Sequence, residues 1–231
     1  MYPIVLKRIG EYLERVYGEI DLSEFIAPRI RKRELFEFIV GVMLSQNTSD
    51  RNAIKAYENL KKILGDITPE KILSSNFDEI VEAIRVAGMY RQRASRIIEL
   101  ARLFSKPGFV EKIVNNITNS SVEEAREILL KLPGVGAKTA DVILIMYFNK
   151  PTFPVDTHIT RITKRLGYLE RYDYESIRRF WMKILDPRDY LKVHLLLIAH
   201  GRKTCKPRNP ECSRCVIREF CKYYLSGKPR R

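Results

Sequence analysis

Apolar residues recur along the chain at helical spacing, and alternation of the kind a half-buried strand needs is nowhere sustained, so the pattern predicts helix almost throughout. Ile4, Ile9, Leu13 and Val16 share one face of a first helix that stops near Gly18. Leu35–Leu44 is apolar on most sides, as a buried helix is. The polar string Ser45-Gln46-Asn47-Thr48-Ser49-Asp50 then offers several caps for a helix that carries Ile54, Tyr57, Leu60 and Leu64 and closes at Gly65. Thr68-Pro69-Glu70 reads as a cap, a proline at the first helical position and an acid in the first turn. Further helices are predicted over about 78–86, ending before Gly88, and over about 92–104.

In the second half, Ser121-Val122-Glu123-Glu124 has the form of a capping box and opens a helix to about Lys131. Leu132-Pro133-Gly134-Val135-Gly136 breaks it and turns the chain into another helix over about 137–148, which makes a helix, hairpin, helix unit. After Pro151 and Pro154, Asp156 can cap a helix through Leu166, and two more follow over about 174–185 and 190–200. From Gly201 the chain reads as a small basic module with prolines and cysteines. The fold class is therefore all-α.

Composition narrows the partners. The 231 residues hold 42 Lys+Arg against 28 Asp+Glu, a net charge of +14, which favours a polyanion such as nucleic acid. The longest apolar runs, 142–148 and 195–199, fall far short of the roughly 20 residues that span a bilayer. Lys7 and Arg8 interrupt the N-terminal apolar stretch too early for a secretory signal, so an intracellular location is expected. Cysteines in such a compartment more often bind metal or do redox chemistry than form disulfides.

Cys205, Cys212, Cys215 and Cys221 form a C-x6-C-x2-C-x5-C array. Four thiolates suit a 4Fe-4S cluster or a zinc ion. Only the middle pair has the short spacing of structural zinc sites, so the spacing favours iron–sulfur and keeps zinc as the alternative. Residues 200–231 also contain ten Lys+Arg and two Asp+Glu, a local +8 that a metal clip could present to phosphates; the plainer reading is a solvated tail stapled for stability. In the hairpin, Gly134 and Gly136 allow a tight turn and leave the amides of the next helix start unblocked, where an anion can be held, although glycine there can also be a simple cap. Lys138 and Asp156 each have an innocent reading, as a solvated charge and as an N-cap. Beside a phosphate-gripping hairpin they suggest an amine nucleophile with a carboxylate partner. His158, His194 and His200 make no convincing metal set and read as structural.

The Leu-Pro-Gly-Val-Gly-x-Lys-Thr-Ala hairpin, Val155-Asp156-Thr157-His158 with Arg161, His200-Gly201-Arg202 and the cysteine array occur together, in this order. In these motifs, over about 35–223, the chain resembles the endonuclease III family of helix-hairpin-helix DNA glycosylases. The resemblance implies a two-lobed all-helical fold, with a helical barrel domain over 28–150 inserted between the parts of a second lobe, 1–27 plus 151–231, which carries the cluster module at 201–225. It also implies a 4Fe-4S cluster on the four cysteines.

By the same resemblance, Lys138 and Asp156 face a common DNA cleft. Lys138 attacks C1′ of an extruded nucleotide, and Asp156 stabilises the cationic sugar. Gly134, Val135 and Gly136 hold phosphate, and Met89 with Gln46 or Asn47 fills the vacated stack. The string around Asn47 departs from the family's usual wording, which leaves open which of Gln46 and Asn47 probes the orphan base. The implied activity is excision of oxidised pyrimidines from damaged duplex DNA with strand nicking, by a monomer inside the cell, nucleoid-associated if the source is prokaryotic. Alternatives are a glycosylase for mismatched thymine or uracil or another modified base, and a non-catalytic DNA-binding module.

Overall fold

The structure, a computed structural model, describes residues 4–227, without the side chains of Ile4 and Val5, and among these residues there is helix and no strand. The chain divides into two compact units, Asp21–Lys150 and Met1–Ile20 with Pro151–Arg231.

The Asp21–Lys150 unit is built around Leu35–Leu44, all ten residues of which are buried. A helix apolar all round must be surrounded, and Asp50–Leu64, Tyr90–Phe104 and Ala137–Met146 pack against it. Three polar caps fix helix starts as the sequence suggests. The Ser49 side chain accepts from Asn52 N, Thr68 from Lys71 N, and Ser121 completes a capping box with Glu124. Val122–Leu130 and Ala137–Met146 form the helix-hairpin-helix and are tied by a buried ion pair, Arg126 Nε to Asp141 Oδ1 at 3.1 Å.

The other unit packs Ile9–Tyr17 and Thr157–Leu166 against the buried helix Tyr190–Lys203. Trp181 is fully buried, stacks on Phe153 at 5.8 Å between ring centroids, and donates to Thr163 Oγ1 at 2.9 Å. Gly201 permits a close approach here, since a Cβ on it would lie 2.6 Å from that of His158.

Several expectations need correction. The N-terminal segment begins as a 3-10 turn, Ile4–Arg8, before Ile9–Tyr17, and Val16 is 50% exposed at the end of that helix rather than on its buried face with Ile9 and Leu13. The helix expected over 78–86 is Phe77–Ile84 and then tightens into a 3-10 turn, Arg85–Ala87. A helix that the sequence pattern did not announce, Phe109–Asn119, starts from Gly108 at φ +72° and buries Ile113 and Ile117. No helix among the described residues is long and apolar enough to cross a membrane.

Candidate nucleic-acid interface and cluster site

In the Asp21–Lys150 unit the hairpin is set by Gly134, whose φ of +77° suits glycine and whose missing Cβ would meet Met43 Cε at 2.4 Å. Gly136 is different. Its φ is −97°, a Cβ there would meet nothing within 4 Å, and it caps Ala137–Met146 with no side-chain hydrogen bond. The N-cap thus contributes no side-chain hydrogen bond to the first-turn amides of that helix, which suits an approaching anion. Val135 is buried and anchors the turn, and Lys138 is exposed in the first turn of the same helix.

Gln46 reaches the hairpin from the end of Leu35–Leu44. Its Nε2 donates to Gly134 O at 2.8 Å and to Thr139 Oγ1 at 2.9 Å, so this amide braces the turn. Asn47 is exposed at φ +52°. Met89 is 56% exposed at φ +48°, and its sulfur lies 4.0 Å from Asn47 Nδ2. Positive φ is uncommon for any residue with a Cβ, and such strain gathers at functional sites. Asn47, Met89 and Gly134 line one cleft. The structure therefore brings together Gln46, Asn47, Met89 and Gly134. It also brings in Arg93, which the sequence pattern does not single out: this side chain is 5% exposed and donates to the carbonyls of Met43, Gln46, Ala87 and Gly88.

In the other unit Asp156 is half-buried, and its Oδ1 accepts from Ile159 N at 2.8 Å, so it caps Thr157–Leu166. That bond orients the carboxylate, as the capping reading expects. The histidines all engage protein groups. His158 Nδ1 lies 2.9 Å from Arg161 Nη2, His194 Nδ1 2.9 Å from Pro154 O, and His200 Nδ1 2.8 Å from Tyr17 Oη. Burial pushes His200 down to about 4.

The cysteine module is short 3-10 turns and loop, held from outside. Arg161 donates from Nε to Cys205 O and from Nη2 to Gly201 O, both at 2.8 Å. One turn on, Arg165 donates to Cys205 Sγ at 3.1 Å, Lys206 O at 2.7 Å and Pro207 O at 3.0 Å, and the Tyr168 hydroxyl donates to Phe220 O at 2.7 Å. Arg165 is a second residue the sequence pattern does not single out; its i,i+4 relation to Arg161 is the available signal.

All four cysteines line one small pocket. Among the described residues no three His, Cys, Asp or Glu side chains group as a single metal ion requires. The four thiols nonetheless share one lining with Arg165 and Tyr223, so they converge on a common space. Burial, with the neighbouring thiols adding to it, pushes Cys215 up to about 11, and Cys212 and Cys221 also rise. Thiols so placed need a cationic group among them before all can ionise, which fits a ligand set for iron. Arg202, Lys203 and Arg208 are exposed, and Lys206 pairs with Glu211 at 2.6 Å.

Residues 40–187 match the HhH-GPD superfamily base excision DNA repair protein family, and residues 205–221 match the iron-sulfur binding domain of endonuclease III. The second match decides between iron–sulfur and zinc. The chain is 40% identical to endonuclease III of Sulfolobus acidocaldarius over 90% of its length and 92% of the relative's. It is 35% identical to that of Thermotoga maritima over 85% and 87%. A solved structure of a trapped endonuclease III–DNA covalent intermediate, an estranged-adenine complex, superposes with a TM-score of 0.78 and 25% identity, covering 98% of this chain and 99% of that one. The fold recurs in a thermostable thymine-DNA glycosylase with a TM-score of 0.73, 22% identity and coverage of 96% of both chains. By its motifs, its fold and these relatives, the chain belongs to the endonuclease III family of HhH-GPD base excision DNA repair proteins.

Proposed function

We propose that this protein is a base-excision-repair DNA glycosylase and abasic-site lyase that removes oxidised pyrimidines from duplex DNA through a Schiff base on Lys138. The observation that carries this reading is the exposed lysine in the first turn of a glycine-capped helix directly after the hairpin. Phosphate held at those amides would bring the sugar of an extruded nucleotide to the amine.

The Lys138 amine adds to C1′ as the glycosidic bond breaks and the base leaves with its electron pair. The sugar ring then opens, with a proton delivered to O4′, to give an iminium between Nζ and C1′. Loss of a C2′ proton expels the 3′ phosphate by β-elimination, and water returns the amine. The Asp156 carboxylate, oriented by its bond from Ile159 N, stabilises the positive charge that builds on the sugar. That a relative forms a covalent DNA intermediate supports this route. Cys205, Cys212, Cys215 and Cys221 would hold the 4Fe-4S cluster, which would supply a redox-capable centre and cross-link the basic module.

Asn47 is the better candidate to probe the orphan base, because the Gln46 amide nitrogen is committed to Gly134 and Thr139. Met89, exposed and apolar, is the wedge that fills the stack.

A panel of duplexes carrying thymine glycol, dihydrouracil, uracil or thymine opposite guanine, 8-oxoguanine and an abasic site tests the reading. Base release and nicking at the two oxidised pyrimidines support it. Preference for uracil or thymine opposite guanine would make the protein a mismatch glycosylase, and binding without base release a DNA-binding module.

A further inference from the structure

Arg93 is a buried cation whose side-chain bonds all run to main-chain carbonyls: Nη1 to Met43, Nη2 to Gln46 at 2.9 Å and Ala87 at 3.3 Å, and Nε to Gly88 at 3.3 Å. Burying a guanidinium is costly unless its N–H groups are satisfied, and filling a core position asks only for an apolar side chain. The guanidinium does what no apolar side chain can: it joins two loops. Gln46 and Gly88 are the residues immediately before Asn47 and Met89, and those two stand at φ +52° and +48°. Because the peptide unit is planar, a held carbonyl fixes the orientation of the amide on the next residue, from which that φ is measured. One side chain thus sets the peptide plane entering both positive-φ residues.

We propose that Arg93 is the positioning residue for strand penetration, holding Asn47 and Met89 in one fixed arrangement ready to occupy the stack when a nucleotide is extruded. The inference rests on the reading of those two residues as the inserting pair.

Arg93→Lys keeps the charge but offers three donors from a single atom, which cannot span the two loops. With folding verified by circular dichroism, the variant should bind undamaged duplex with unchanged salt dependence. The fluorescence rise of a 2-aminopurine placed beside thymine glycol, which reports unstacking, should be lost. Single-turnover base release should fall by about tenfold to a hundredfold, the scale expected of a small misplacement. Nicking of a preformed abasic site, which has no base to extrude, should fall much less. A role in stability alone would lower both reactions alike, so equal losses, or a wild-type fluorescence rise, would overturn the proposal. Asn47→Ala and Met89→Ala separate the two layers of the argument. If both release base like the wild type, the inserting-pair reading fails and this inference with it; if they fail to do so while Arg93→Lys succeeds, only the role of Arg93 falls. Should Arg93→Lys not fold, the wild-type protein carries the test by NMR. The Arg93 Nε–H, bonded to Gly88 O, should exchange slowly with solvent with and without lesion duplex, and fast exchange in both states would contradict it.

Discussion

The hairpin region and the cysteine module handle order in opposite ways. Around the hairpin, the polar groups that position the exposed residues are protein groups already in place: Gln46 on Gly134, Arg93 on the two loops, and Arg126 on Asp141. What projects from that frame is Lys138, Asn47 and Met89, all exposed. The cysteine module is braced at its periphery by Arg161, Arg165 and Tyr168, while its interior is four thiols, of which burial raises Cys212, Cys215 and Cys221. One region is organised by the chain itself, and the other matches an iron-sulfur binding domain. The difference teaches that chemistry and scaffold are separable here, with the proposed nucleophile in one frame and much of the charge in the other.

The comparison breaks most sharply at Lys138. Lys138→Gln should abolish nicking and covalent capture while leaving the visible absorbance of the cluster intact, measured on lesion duplex and by spectroscopy of the same preparation. Next in size, Cys215→Ala should remove the cluster. Hydrogen exchange should then rise across 204–225 and stay slow across 125–146, because the helix-hairpin-helix does not depend on iron; equal loss of protection in both would make the distinction wrong. Asp156→Asn should slow base release strongly yet keep the fold, and full activity would reduce Asp156 to a cap. Asp141→Ala removes the buried pair with Arg126 and should cost up to about 3–5 kcal/mol in chemical denaturation, a loss confined to the hairpin frame. The smallest effect belongs to the basic surface: neutralising Arg202, Lys203, Lys206 or Arg208 should make the slope of log K against log salt shallower by about one for each phosphate that the side chain neutralises.

What the sequence made legible was what local pattern controls. A capping box, a proline–glycine hairpin, an apolar ten-residue run and a cysteine array each depend on neighbours a few positions away, and all four stand where the pattern puts them. The misses depend on distant partners. Arg93 sits in Tyr90-Arg91-Gln92-Arg93, where it reads as one more solvated cation; it is buried on the helix face that also carries Ala94 and Ile97, with carbonyls of two loops as its partners. Phe109–Asn119 was hidden by Pro107-Gly108 before it and by its asparagines, poor helix formers that tertiary burial of Ile113 and Ile117 overrides. That Gln46 braces the hairpin also lay beyond the sequence, since it depends on a long-range bond to Gly134.

The central claim is that one lysine performs the chemistry. Borohydride reduction during reaction with thymine glycol duplex, followed by proteolysis and mass spectrometry of the adduct, identifies the amine that carries the sugar. The account predicts a single modified peptide with the deoxyribose remnant on Lys138; an adduct on another lysine, or on the N-terminal amine, would contradict it.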